Sequence, residues 1–127
     1  MLEDLRKNAI DELSTGNVEQ AYIIMCDVIS NEHCILDDVY LAAEWALDSN
    51  QYNESIDLFT RALSISKSQN ETWYLSTIYL ARAYAQALVG AKSDALNDLM
   101  QLDDELQITW FKNHPFINKQ FINTLLD

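Results

Sequence analysis

LDDVYLAAEWALDSNQYNESIDLFTRALSISKSQ, residues 36 to 69, reads as two amphipathic helices joined by a turn, and it is the second copy of a unit. A shift of 34 residues lays Leu2 to Ile35 over it. Leu2 then meets Leu36, Asp4 meets Asp38, Leu5 meets Val39, Ala9 meets Ala43 and Leu13 meets Leu47. Gly16 meets Asn50, Val18 meets Tyr52, Ala21 meets Ser55, Tyr22 meets Ile56, Ile24 meets Leu58 and Met25 meets Phe59. Apolar falls on apolar and turn residue on turn residue. A fixed period of this length marks a stacked array of helix pairs, none of which can bury its apolar face alone.

Outward from that repeat, the spacing predicts helices with apolar residues three and four apart. Leu2, Leu5, Ala9, Ile10 and Leu13 form the first stripe, stopped at Thr15-Gly16-Asn17, where Gly16 suits a left-handed C-terminal residue. Ala21, Ile24, Met25, Val28 and Ile29 form the second, and Asn31 to Cys34 the link. Helix three spans Leu36 to Asp48, and helix four runs from about Tyr52 to Ile65. In the third unit Gly90 follows Asn50 by forty residues. The expectation is a first helix longer by about six residues, nearly two turns, overhanging the array. Its partner starts at Ser93 and ends around Leu106. Trp110, Phe111, Phe116, Phe121, Ile122, Leu125 and Leu126 then supply apolar cover for the open end, with a terminal helix from about Pro115.

Composition agrees with an all-α chain: 49% of the 127 residues are hydrophobic, enough for one core, while 2 Gly and 1 Pro leave long segments without a helix breaker. No run of about 18 apolar residues could cross a membrane, and Met1-Leu2-Glu3-Asp4 lacks the basic-then-apolar order of a signal peptide. A cytoplasmic protein with two reduced thiols, Cys26 and Cys34, is expected. The formal charge is −12. It is unevenly placed, with thirteen acids against Arg6 and Lys7 in residues 1 to 60, and seven acids against six bases beyond. Such a field repels nucleic acid and attracts basic partners.

Residues 43 to 63, with Ala43, Tyr52, Glu54, Ile56, Phe59, Ala62 and Leu63, resemble a tetratricopeptide repeat. Val39, Asn50 and Ser55 stand where that family prefers Trp, Gly and Ala, and repeat one matches through Ala9, Gly16, Val18, Ala21 and Met25. The resemblance implies a right-handed α-solenoid of three helix-turn-helix repeats in one domain. Their bounds would be about 2–35, 36–69 and 70–106, with a C-terminal cap over 107–127. Its first helices line a concave face that takes ligands. Carried over by position, that face holds Glu3, Arg6, Ile10 and Leu13, then Asp37, Tyr40, Leu41, Glu44 and Asp48, then Glu71, Tyr74, Leu75, Ile78 and Arg82. The Lys, Asn and Arg clamp with which chaperone-binding members grip a terminal carboxylate is missing.

Catalytic chemistry is sparse. His33-Cys34 lies in a linker with no third group to orient a base, the carboxylate runs lack calcium-loop spacing, and no zinc, phosphate-loop or metalloprotease motif occurs. No enzyme activity and no cofactor or metal are expected. The expected partner is another protein, basic in charge, held through Glu3, Asp37, Tyr40, Glu44, Asp48, Glu71, Tyr74 and Ile78, with no nucleic acid and no membrane involved. Two roles fit: an adaptor or scaffold holding a peptide or helix, or an immunity protein occluding a cationic toxin such as a nuclease. Either leaves room for a homodimer through Trp73, Tyr84 or the overhanging helix.

Overall fold

A computed structural model describes residues 1–127. Seven helices and one minimal hairpin follow in order: α1 Leu2–Ser14, α2 Val18–Ile29, α3 Leu36–Asp48, α4 Tyr52–Ser68, α5 Leu75–Leu88, α6 Lys92–Leu99, β1 Gln107–Ile108, β2 Ile117–Asn118 and α7 Lys119–Leu125. The strands are antiparallel, with Gln107 opposite Asn118 and Ile108 opposite Ile117. The protein is all-α apart from this pair. No helix is long and apolar enough to cross a membrane.

Four helix ends use one device. Gly16, Asn50, Asn70 and Gly90 are the four residues with positive φ, at 84°, 65°, 54° and 83°. After each, the next N–H reaches back five residues: Asn17 to the Glu12 carbonyl at 3.0 Å, and Gln51 to Ala46, Glu71 to Ser66 and Ala91 to Gln86, each at 2.8 Å. This is the Schellman arrangement, which satisfies carbonyls the helix cannot and needs a residue that tolerates the left-handed region, Gly or Asn.

The third unit differs from its sequence reading. α5 has 14 residues against 13 in α3, so there is no overhanging first helix. The additional residues precede it. α4 continues to Ser68, Asn70 stops it, and Glu71 to Tyr74 form a turn in which the Glu71 carboxylate accepts the Trp73 N–H at 2.8 Å. The offset between α3 and α5 is thus forty residues, pairing Glu44 with Tyr84 and Tyr40 with Leu80. Two further boundaries move. α6 ends at Leu99 rather than near Leu106, and α7 begins at Lys119 rather than Pro115 because the Asn118 side chain caps it, accepting the Phe121 N–H at 2.7 Å.

Each of α1 to α6 packs on its neighbours in sequence, and α5 also carries α7, both strands and a line of contact with α3. Rows of Ala permit the approach: Ala42, Ala43 and Ala46 on α3, and Ala81, Ala83, Ala85 and Ala87 on α5, are buried. One apolar cluster runs from Leu36 through Phe59, Ile78 and Leu80 to Ile108, Ile117 and Ile122. A smaller one holds Ala9, Val18, Ala21, Met25 and Val28 against Ala42 and Trp45. α3 belongs to both and is the most enclosed helix. Two forked ion pairs tie helices together, α1 to α3 through Arg6 Nε and Nη2 donating to Asp38 at 2.8 and 2.7 Å, and α5 to α6 through Arg82 Nε and Nη2 donating to Asp98 at 2.7 and 2.6 Å.

Candidate functional site

On the face of α3 and the start of α5, Tyr40, Glu44, Asp48 and Tyr74 come together, and the loop from Thr109 to Phe116 packs there through Trp110, Lys112, Asn113 and His114. α3 presents Tyr40, Glu44 and Asp48 one turn apart along that face. Asp48 holds the loop down. Its carboxylate accepts the backbone N–H of Lys112 at 3.0 Å and of Asn113 at 2.7 Å, and its carbonyl accepts the Asn113 amide at 2.7 Å. Lys112 Nζ donates to the Gly16 carbonyl at 3.1 Å. Beside them, His114 is bound through both ring nitrogens, Nδ1 at 2.7 Å from the Tyr84 hydroxyl and Nε2 at 2.8 Å from Asn50 Oδ1. A neutral ring protonated on Nε2 meets both partners, and burial holds its pKa below the usual value against the opposing pull of Asp48.

One turn along α3, Glu44 Oε2 accepts two bonds, from the Tyr40 hydroxyl at 2.7 Å and from the Trp110 indole at 3.0 Å. Glu44 is 6% exposed. Burial pushes its carboxyl above the usual range, outweighing those two donors, with Asp48 adding to the rise. Tyr40 stacks on Tyr74, ring centroids 4.0 Å apart and planes 17° from parallel, and Thr77 Oγ1 lies 3.0 Å from its hydroxyl. The Tyr74 hydroxyl donates to Asp37 at 2.7 Å. These groups enclose a cavity of about 350 Å³ lined by Tyr40, Glu44, Trp73, Tyr74, Thr77 and Trp110. Two of its walls are exposed indoles, Trp73 at 81% and Trp110 at 55%. A second cavity of about 380 Å³ shares Trp73 and Tyr74 and adds Asp37 and Glu71. A third, of about 330 Å³, adjoins Glu44 on the other side of Trp110, with Ile10, Leu13 and Leu41.

The residues expected on this face fall into three groups. Asp37, Tyr40, Glu44, Glu71 and Tyr74 are brought together around the two cavities. Asp48 lies on the face but is spent on the loop, so it does not present a free carboxylate. Glu3 is exposed on the first turn of α1 and lines none of the cavities. Two carried-over positions are corrected by the forty-residue offset. Ile78 is fully buried in the core, and Arg82 turns to Asp98 on α6 and Thr60 on α4. Trp73, Tyr84, Trp110 and His114 were not placed here from sequence. Tyr84 could have been, since Gly90 minus Asn50 gives the offset that aligns it with Glu44; the loop residues could not.

Cys26 and Cys34 are both unpaired. No grouping of three or more His, Cys, Asp and Glu side chains is arranged to hold a metal ion. No protein-family profile matches the sequence, and a search of characterised proteins finds no significant match.

Proposed function

We propose that this chain is a non-enzymatic protein-interaction module that binds a basic partner through the α1–α3–α5 face, acting in the cytoplasm as an adaptor or scaffold. Its 34-residue internal repeat and sequential helix pairing support a tetratricopeptide-like solenoid as the scaffold. The observation that carries the reading is the open cavity over Glu44. Two largely exposed indoles flank a buried Glu44 with which no Lys or Arg of the chain pairs; the Lys and Arg ion pairs engage Asp38, Asp98 and Asp104. Exposed Trp at the mouth of a pocket is the residue type and setting of interface anchors.

The charge asymmetry favours a second role, an immunity protein that captures a cationic toxin. A field from thirteen acids in residues 1 to 60 steers a basic protein and speeds its encounter.

Both roles are tested by affinity capture from source cells at low and high salt, with the native protein beside an Asp37→Lys, Glu71→Lys variant. Both positions are exposed, but Asp37 accepts from the Tyr74 hydroxyl and Glu71 from the Trp73 N–H, so the variant is used only once its melting transition matches the native one. One basic partner, lost with the variant and at high salt, marks the inhibitor and directs a toxicity assay of that partner. Several partners lost with the variant mark the adaptor. Partners indifferent to the substitutions move the binding site off this face.

A further inference from the structure

We propose that Glu44, Trp73 and Trp110 form a seat for the side-chain ammonium of a lysine presented by the partner, an inference that rests on the α1–α3–α5 face being the binding face. Glu44 Oε2 already takes two donors, whereas no hydrogen bond of the chain reaches Oε1. Glu44 is a buried residue, 6% exposed, whose unbonded Oε1 keeps contact with the pocket's solvent, and no Lys or Arg pairs with it. A carboxylate in a buried residue, with neutral donors on one oxygen only and no cation beside it, is costly to fold, and the cost is relieved when a cation arrives at the other oxygen.

Three features select the cation. The cavity is lined by Trp73, Trp110 and the stacked Tyr40–Tyr74 pair, aromatic side chains of the kind that attract cations and pack against methylene chains. With Oε2 occupied, Glu44 offers one oxygen, which suits a point-charge ammonium and leaves the two-pronged guanidinium half-paired. At the rim, Asp37 and Glu71 add negative field without basic neighbours in the cavity lining. Burial holds the Glu44 carboxyl above its usual range. An ammonium at Oε1 opposes that shift, so lysine binding releases protons near the carboxyl's own titration.

The test titrates N-acetyl-lysine methylamide into the isotope-labelled protein and follows the three indole N–H resonances. N-acetyl-norleucine methylamide and N-acetyl-arginine methylamide serve as the uncharged and guanidinium comparators. The expected result is saturable movement of the Trp110 and Trp73 signals with a dissociation constant on the order of 1–10 mM, as suits one small side chain. Buried Trp45 stays put. The arginine probe should bind about tenfold more weakly and norleucine not at all. Glu44→Gln should lose roughly tenfold or more while still giving one sharp Trp110 indole signal of a folded protein, and Trp73→Ala, at a side chain outside the core, should weaken binding severalfold. Equal response to norleucine or arginine, no movement, or indifference to Glu44→Gln overturns the lysine seat. If the native protein still captures a basic partner that the rim variant loses, only the seat falls; if both experiments fail, the face itself falls.

Discussion

Substituting Glu44 by Gln keeps an acceptor for both the Tyr40 hydroxyl and the Trp110 indole, because the amide oxygen can take the place of Oε2, while it removes a charge that burial disfavours. The variant is expected to be more stable than the native protein at neutral pH by an amount on the order of 1 kcal/mol, read as a rise of a few degrees in Tm. The sign of its pH dependence is set by burial. The Glu44 carboxyl is raised in the folded state, so on raising the pH the unfolded chain ionises first and stability is lost up to and through the folded pKa. The advantage of Gln should therefore vanish below about pH 4, where both states are protonated. A variant less stable than native at pH 7 contradicts an uncompensated charge at this position. His114 works in the other direction. Its pKa is lowered by burial, so the stability it confers is full above about pH 6.5 and is lost as pH falls through its folded value. The native protein's advantage over His114→Asn in denaturant melts should be larger at pH 7.5 than at pH 5; an advantage unchanged with pH removes the ring's neutral form from the account.

The C-terminal segment from β1 to α7 is a structural element as much as a cover. Ile108, Ile117 and Ile122 are fully buried and Phe111 nearly so, all within the main apolar cluster on α5. Ile122→Ala should cost about 2–5 kcal/mol, and deletion of residues 107–127 should unfold or aggregate the protein. A soluble truncation with an unchanged helical melting transition sinks this expectation. The turns make a sharper test of backbone conformation. Gly90 sits at φ 83°, and a Cβ there would meet nothing within 4 Å. The price of Gly90→Ala is therefore purely conformational, about 1–2 kcal/mol, whereas Asn70→Gly at the equivalent device should be neutral or mildly stabilising. Equal melting of the Gly90→Ala and native proteins refutes the left-handed assignment.

For the molecule as a whole, the −11 carried by residues 1 to 60 against −1 beyond them is a self-repulsion within α1 to α3 and the first half of α4. Arg6 reaches Asp38 in a forked pair, and Lys7 is the only other base in that half. Screening should raise Tm by a few degrees between low salt and about 0.5 M, where the Debye length falls to a few ångström. A fall or no change locates the charges too far apart to matter.

Much of this molecule was legible before its structure. Six helices fall in the segments that the three-and-four spacing of apolar residues marked, with α1 to α3 close to the expected bounds, α4 longer and α5 and α6 shorter, and Gly16, Asn50 and Gly90 mark turns because only Gly and Asn enter the left-handed region cheaply. These are local preferences, written in neighbouring residues. The late turn at Gly90 was legible too, but not where its extra residues went: a longer α5 and a longer α4 followed by a turn satisfy the same count, and Asn70 with the Glu71 to Trp73 bond decides between them. Ile78 and Arg82 left the expected face for that reason alone. The sequence by itself determined the all-α class, the repeat and the acidic half, since period, propensity and charge need no long-range information. Only tertiary structure brought Trp110 to Glu44, Lys112 and Asn113 to Asp48, and His114 to Tyr84 and Asn50. Those pairs lie 66, 64, 65, 30 and 64 residues apart, and the fold of everything between sets their distance.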